Sequence, residues 1–145
     1  MKRLLLIIML AAAGLAQAGQ ACDTTPPTPL AVSRGLALAE KVRQQLDASG
    51  SQVVLLARAG QDLSRHGLRW SHVGLAYRQA EDGRWRVAHK LNHCGTAEAA
   101  VYRQGLGEFF LDQPHRYEAA FAPLAPELQA KLLPRLRDNA QLSRL

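Results

Sequence analysis

Apolar positions follow two rhythms along this chain, one with helical spacing and one with the every-second-residue spacing of a strand. The helical rhythm comes first. Ser33 stands as an N-cap, and Leu36, Leu38, Ala39, Val42 and Leu46 recur on one side up to about Asp47, with Arg43, Gln44 and Gln45 facing away. Ala48-Ser49-Gly50-Ser51 stops the helix. Gln52 to Ala57 is continuously apolar and β-branched, as expected of a strand covered on both faces. Arg58 to Arg69 then forms a glycine-punctuated connection, in which Asp62 and Ser64 are turn-type residues able to bond nearby backbone donors. Two strand-like runs, His72 to Arg78 and Trp85 to Leu91, flank the polar turn Q-A-E-D-G and predict a hairpin.

Beyond the hairpin, Thr96 is expected to cap a helix running to about Phe110, with Gly105 and Gly107 weakening it enough to split it. Asp112-Gln113-Pro114 turns the chain into a short strand, Tyr117 to Phe121. Leu128, Leu132, Leu133 and Leu136 form the stripe of a last helix, Glu127 to Arg137, with a kink expected at Pro134. No final strand is expected in Asn139 to Leu145. Helix, strand, hairpin, helix, strand, helix amounts to an α+β fold: a small antiparallel sheet of about four strands with helices packed on it.

The first residues obey neither rhythm. Lys2 and Arg3 precede an apolar run from Leu4 to Leu15, and Ala16-Gln17-Ala18 is an A-x-A cleavage site. Residues 1–18 therefore read as a secretory signal peptide, too short for a membrane span, and the product as an exported, periplasmic protein. Cys22 invites a lipoprotein reading, but Gly19-Gln20-Ala21 lacks the Leu expected three residues before a lipidated cysteine. Residues 19–32 are a proline-rich lead-in, and 33–145 a single domain. Loss of Lys2 and Arg3 with the leader lowers the formal net charge from +6 to about +4. The surplus is scattered as single Arg residues, which excludes the clustered basic footprint of a nucleic-acid binder and leaves a mildly basic surface suited to an anionic envelope.

The candidate chemistry centres on the hairpin. His72 heads the first strand and His89 lies in the second, where the fold can make them neighbours with one imidazole orienting the other. Gly74 inside a strand marks close approach by another backbone or by a ligand, and Arg58 and Asp62 are the next residues expected to border the cleft. His89, His93 and Cys94, with His72 as a fourth, are zinc-type ligands without a zinc spacing, so no metal or cofactor is expected. The two cysteines, Cys22 and Cys94, read first as a disulfide in an oxidising compartment. Against that, Cys94 in H-C-G-T precedes an expected helix start, where a thiol becomes nucleophilic. A serine hydrolase would need a G-x-S-x-G elbow, which is absent.

The stretch A-R-A-G-Q-D-L-S-R-H-G-L-R-W-S-H-V-G-L-A-Y-R, with W-R-V-A-H-K-L-N-H-C-G-T and Q-G-L-G-E-F-F-L-D-Q-P-H-R-Y-E-A, closely resembles a bacterial exported family, domain of unknown function 2145. More distantly, S-H-V-G-L-A-Y followed by a histidine in the next strand is similar to NlpC-type, papain-like cysteine peptidases and amidases. That resemblance implies a permuted papain-like fold, His72 as catalytic base and His89 as its orienting residue. It also exposes a departure: no cysteine lies between Cys22 and His72, where such domains carry the nucleophile on a helix. In permuted relatives the cysteine follows the sheet. The unknown-function family is expected to continue past the position of Leu145 into a segment rich in Tyr, Asn, Gln and Trp, so a shortened form is expected here. The function implied is an exported thiol-peptidase or amidase-like domain acting on cell-envelope peptides or amides, active or catalytically dead. The alternatives are a non-catalytic envelope-binding module and a disulfide-stapled structural protein.

Overall fold

The computed structural model describes residues 25–93, 96, 98–112, 114–138, 140 and 142–144. The expected leader, the start of the lead-in, Cys22, Cys94 and the disulfide between them lie outside the described residues. Helix α1 spans Pro29–Ala48, strand β1 Val53–Ala59, β2 His72–Arg78 and β3 Trp85–Asn92. Strand β4 spans Ala99–Gly105, helix α2 Leu106–Leu111, β5 Arg116–Pro123, α3 Pro126–Arg137 and β6 Ser143–Arg144. The fold is α+β, as the alternating rhythms require. No helix among the described residues is long and apolar enough to cross a membrane.

Two compact units divide the chain, the larger holding Thr25–Lys90 and Val101–Leu145, the smaller taking in Leu91–Ala100. Within the smaller unit Thr96 Oγ1 donates to His93 O at 2.9 Å and accepts from Glu98 N at 3.1 Å, so the residue expected to cap a helix instead closes a turn. The expected helix from Thr96 is replaced by strand β4 and the six-residue α2. Pairing within the sheet prevails here over the local helix preference of T-A-E-A-A.

The sheet runs in the order β5-β1-β2-β3-β4-β6, six strands rather than about four. β1 is antiparallel to both β5 and β2, and β2 to β3, while β6 adds a two-residue parallel edge in the tail where no strand was expected. Register settles the faces. Val54, Leu56 and Arg58 of β1 lie opposite Ala76, Gly74 and His72 of β2, and this row faces α1 and α2. On that side Val42, Leu46, Val54, Leu56, Ala76, Val87, Phe109 and Phe110 form the main core. On the other side Val53, Tyr77, Ala88 and Leu136 pack together, with Leu132 and Leu133 of α3 against them. Leu55 remains 42% exposed, so the apolar run of β1 is covered on both faces only in part.

Helix α1 starts earlier than expected. Thr28 is the N-cap, its hydroxyl accepting from Ala31 N at 3.2 Å, and Pro29 takes the first helical position, where its fixed φ fits and its missing N–H is not needed. Gly35, Ala39, Val42 and Leu46 are its buried residues, and Leu36, expected inward, is 48% exposed. Gly35 is the reason. A Cβ there would stand 2.8 Å from Phe110 O, so the glycine lets α1 and α2 touch backbone to side and sets which stripe turns inward. Helix α3 docks through a side chain as well as its leucines. Gln129 Oε1 accepts from Gln52 N at 2.8 Å and Val53 N at 3.0 Å, and its Nε2 donates to Leu124 O at 2.7 Å.

Candidate functional site

Strand alternation places His72, Gly74 and Ala76 on the helix-covered face, and Val87 and His89 on the same face of the next strand. The imidazoles meet: His72 Nε2 and His89 Nδ1 are 2.7 Å apart, with ring centres 4.9 Å apart and planes nearly perpendicular. His89 is 3% exposed, whereas His72 is only partly covered and forms the open side of the pair. Phe109 of α2 packs on both rings, its centre 5.7 Å from His72 and 5.3 Å from His89.

Gly74 is buried between them. A side chain there would meet Val87 Cγ1 at 2.6 Å, His89 Cβ at 3.0 Å and Ala88 O at 3.1 Å. The glycine therefore admits β3 and the body of His89, and the space is not open to a ligand. Of the two readings of an in-strand glycine, close approach is the one found.

Arg58 belongs to β1 rather than to the following connection, and it stands opposite His72 in the β1–β2 register. A register shift against β5 falls at Arg58/Ala59, an irregularity of the kind that re-aims side chains at strand ends. The Arg58 side chain turns inward and donates to Phe109 O at 2.6 Å and to Asp112 O at 3.3 Å. A third bond, at 2.5 Å, runs to Asp112 Oδ2. Asp62, expected beside it, is elsewhere: it is exposed, accepts from Ser64 N at 3.0 Å and lies 3.9 Å from His115 Nε2. The carboxylate at the site is Asp112. Phe109, Asp112 and Gln104 were not anticipated, since Phe109 read as helix core and Asp112 as a turn former.

Electrostatics keep the pair uncharged. Burial, the positive Arg58 and the neighbouring His89 push His72 down to about 4, with Asp112 acting the other way. His89 is lowered by burial and by Arg58, while Gln104 and Asp112 act to raise it. Two neutral imidazoles sharing one hydrogen bond must take complementary tautomers. With His72 Nε2 donating to His89 Nδ1, the lone pair of His72 sits on Nδ1, and no described residue hydrogen-bonds that atom. His89 then carries its proton on Nε2, a buried atom with no geometric hydrogen-bond partner among the described residues.

Of the sequence-predicted site residues, His72, His89, Gly74 and Arg58 come together, Asp62 does not, and Cys94 and Cys22 are outside the described residues. Among the described residues no group of three metal-type ligands forms.

Residues 45–145 match the profile of a family described as "Uncharacterized protein conserved in bacteria (DUF2145)". The chain belongs to this family. In this DUF2145 member the matched span takes in all six strands, both histidines, Arg58, Phe109 and Asp112, so the whole site lies inside the family region. No curated protein and no solved structure matches the chain.

Proposed function

We propose that this DUF2145 chain is an exported, periplasmic thiol-peptidase or amidase-like protein acting on cell-envelope peptide or amide bonds, in a permuted papain-like arrangement with His72 as base. One observation supports the reading: His89 Nδ1 lies 2.7 Å from His72 Nε2, and in the tautomer where His72 donates, Nδ1 of this partly open imidazole is the proton acceptor. In a thiol hydrolase that atom takes the proton from the cysteine. The thiolate attacks the amide carbon, and the imidazolium returns the proton to the leaving amine, releasing it from a thioester that water then cleaves. His89 fixes the tautomer and ring orientation that this exchange requires. Cys94 is the candidate nucleophile.

The low proton affinity of His72 favours a second reading, since an imidazole held at about 4 is a weak base at neutral pH. In that reading the pair belongs to a non-catalytic envelope-binding cleft. The two part company on thiol reactivity. Purified mature protein, with and without reductant, is alkylated near neutral pH with iodoacetamide, and peptide mass spectrometry follows Cys94 in wild type and His72→Ala. The hydrolase reading expects rapid Cys94 alkylation that slows roughly tenfold or more without the base. A Cys94 that resists alkylation in reduced protein, or reacts equally fast in both proteins, removes the hydrolase reading and leaves the non-catalytic alternatives.

A further inference from the structure

Arg58 has no part in the proton step, yet it is the buried cation nearest the pair. It is 4% exposed, its guanidinium carbon sits 4.9 Å from the centre of the Phe109 ring, and it donates both to Phe109 O and to Asp112. Three bonds to the end of α2 fix that end against β1, and Phe109 is the residue through which α2 touches both imidazoles. We infer that Arg58, paired with Asp112, is the positioning group of the His72–His89 pair, holding Phe109 against both rings and governing their uptake of a proton through its own buried charge.

Besides burial, the groups acting on the pair are Arg58 on β1 and Asp112 at the end of α2 for both rings, His89 on β3 for His72, and the polar Gln104 on β4 for His89. Arg58 opposes protonation and Asp112 favours it. Their settings are unequal. The Asp112 side chain is 67% exposed against 4% for Arg58, so water screens the acid far more than the base and the cation dominates. Arg58 thereby adds to burial in keeping the His72–His89 pair neutral.

This role concerns the histidine site of the proposed function but needs no thiol, so its test separates from that one. Imidazole signals of His72 and His89 are followed by NMR from about pH 8 downward in wild type, Arg58→Met, Arg58→Lys and Asp112→Asn. Arg58→Met should raise both midpoints by roughly half a unit or more, Arg58→Lys should stay near wild type, and Asp112→Asn should lower them. A clamp that is only structural would change stability and leave the charge-sensitive ordering absent. Should Arg58→Met fail to fold, Asp112→Asn decides, because its exposed carboxylate can be neutralised isosterically. Midpoints unchanged or raised in Asp112→Asn, or unchanged in a folded Arg58→Met, overturn the inference.

Discussion

Gly74 shows how one missing side chain builds the site. Its neighbours Val87 Cγ1 and His89 Cβ already occupy the volume a methyl would take, at distances no real Cβ tolerates for the first and barely for the second. Gly74→Ala must therefore push β3 away or rotate His89, and overpacking of this kind costs about 1–3 kcal/mol. We expect a lower urea midpoint for Gly74→Ala, together with loss of the shared His72–His89 proton signature in imidazole NMR spectra; an unchanged pair in a folded variant would show the contact to be softer than described. The two histidines were legible in the sequence because strand alternation and the E-D-G turn fix which residues can face each other, and Gly83 takes its left-handed φ of 65° in that turn. Asp112 was not legible, because its partner Arg58 is 54 residues away and nothing local distinguishes a turn aspartate from a buried arginine's counter-charge.

Among the elements, α1 and α2 meet through Gly35, where general helix propensity and packing disagree. Alanine in a helix interior is ordinarily favoured over glycine by about 1 kcal/mol. At position 35 the added carbon would stand 2.8 Å from the carbonyl of Phe110, a backbone atom that cannot swing aside. Gly35→Ala should thus destabilise the protein by roughly 1–2 kcal/mol net, read as a lower denaturation midpoint. An increase would mean that α2 can retreat. The sequence located α1 by its periodicity, but the inward stripe was drawn through Leu36 because leucine outranks glycine in any count of hydrophobic positions. The same bias toward composition turned Thr96–Phe110 into a helix, although Ala99–Gly105 is a strand whose burial follows no clean two-residue alternation that could have announced it. Elements with a long uniform pattern, such as β2, β3 and α3, were placed within a residue or two.

At the scale of the whole molecule the histidine pair links folding to pH. In the unfolded chain His72 titrates near its ordinary 6.5, whereas in the folded protein it is pushed down to about 4, and His89 is lowered too. The unfolded state therefore binds protons first as pH falls, so this contribution to stability is complete above about 6.5 and is lost progressively down to about 4. Urea midpoints measured at about pH 7 and about pH 5 should differ in that sense, and a double His72→Gln, His89→Gln variant should show a flatter profile over the same window. Asp62, Asp82 and Glu40 are lowered carboxylates on the surface, and they act only at more acidic pH. A different kind of linkage follows from Gln129. A glutamine side chain ends in the same planar carbonyl-and-amide unit as a peptide bond, and here it accepts from two successive backbone amides of the segment entering β1 while donating to a backbone carbonyl. Helix α3 thus lends the sheet a surrogate peptide group, a fragment of strand carried on a helix. The beginning of β1 is completed by a residue 76 positions further along the chain, so the ladder at that corner of the sheet closes only when α3 has docked.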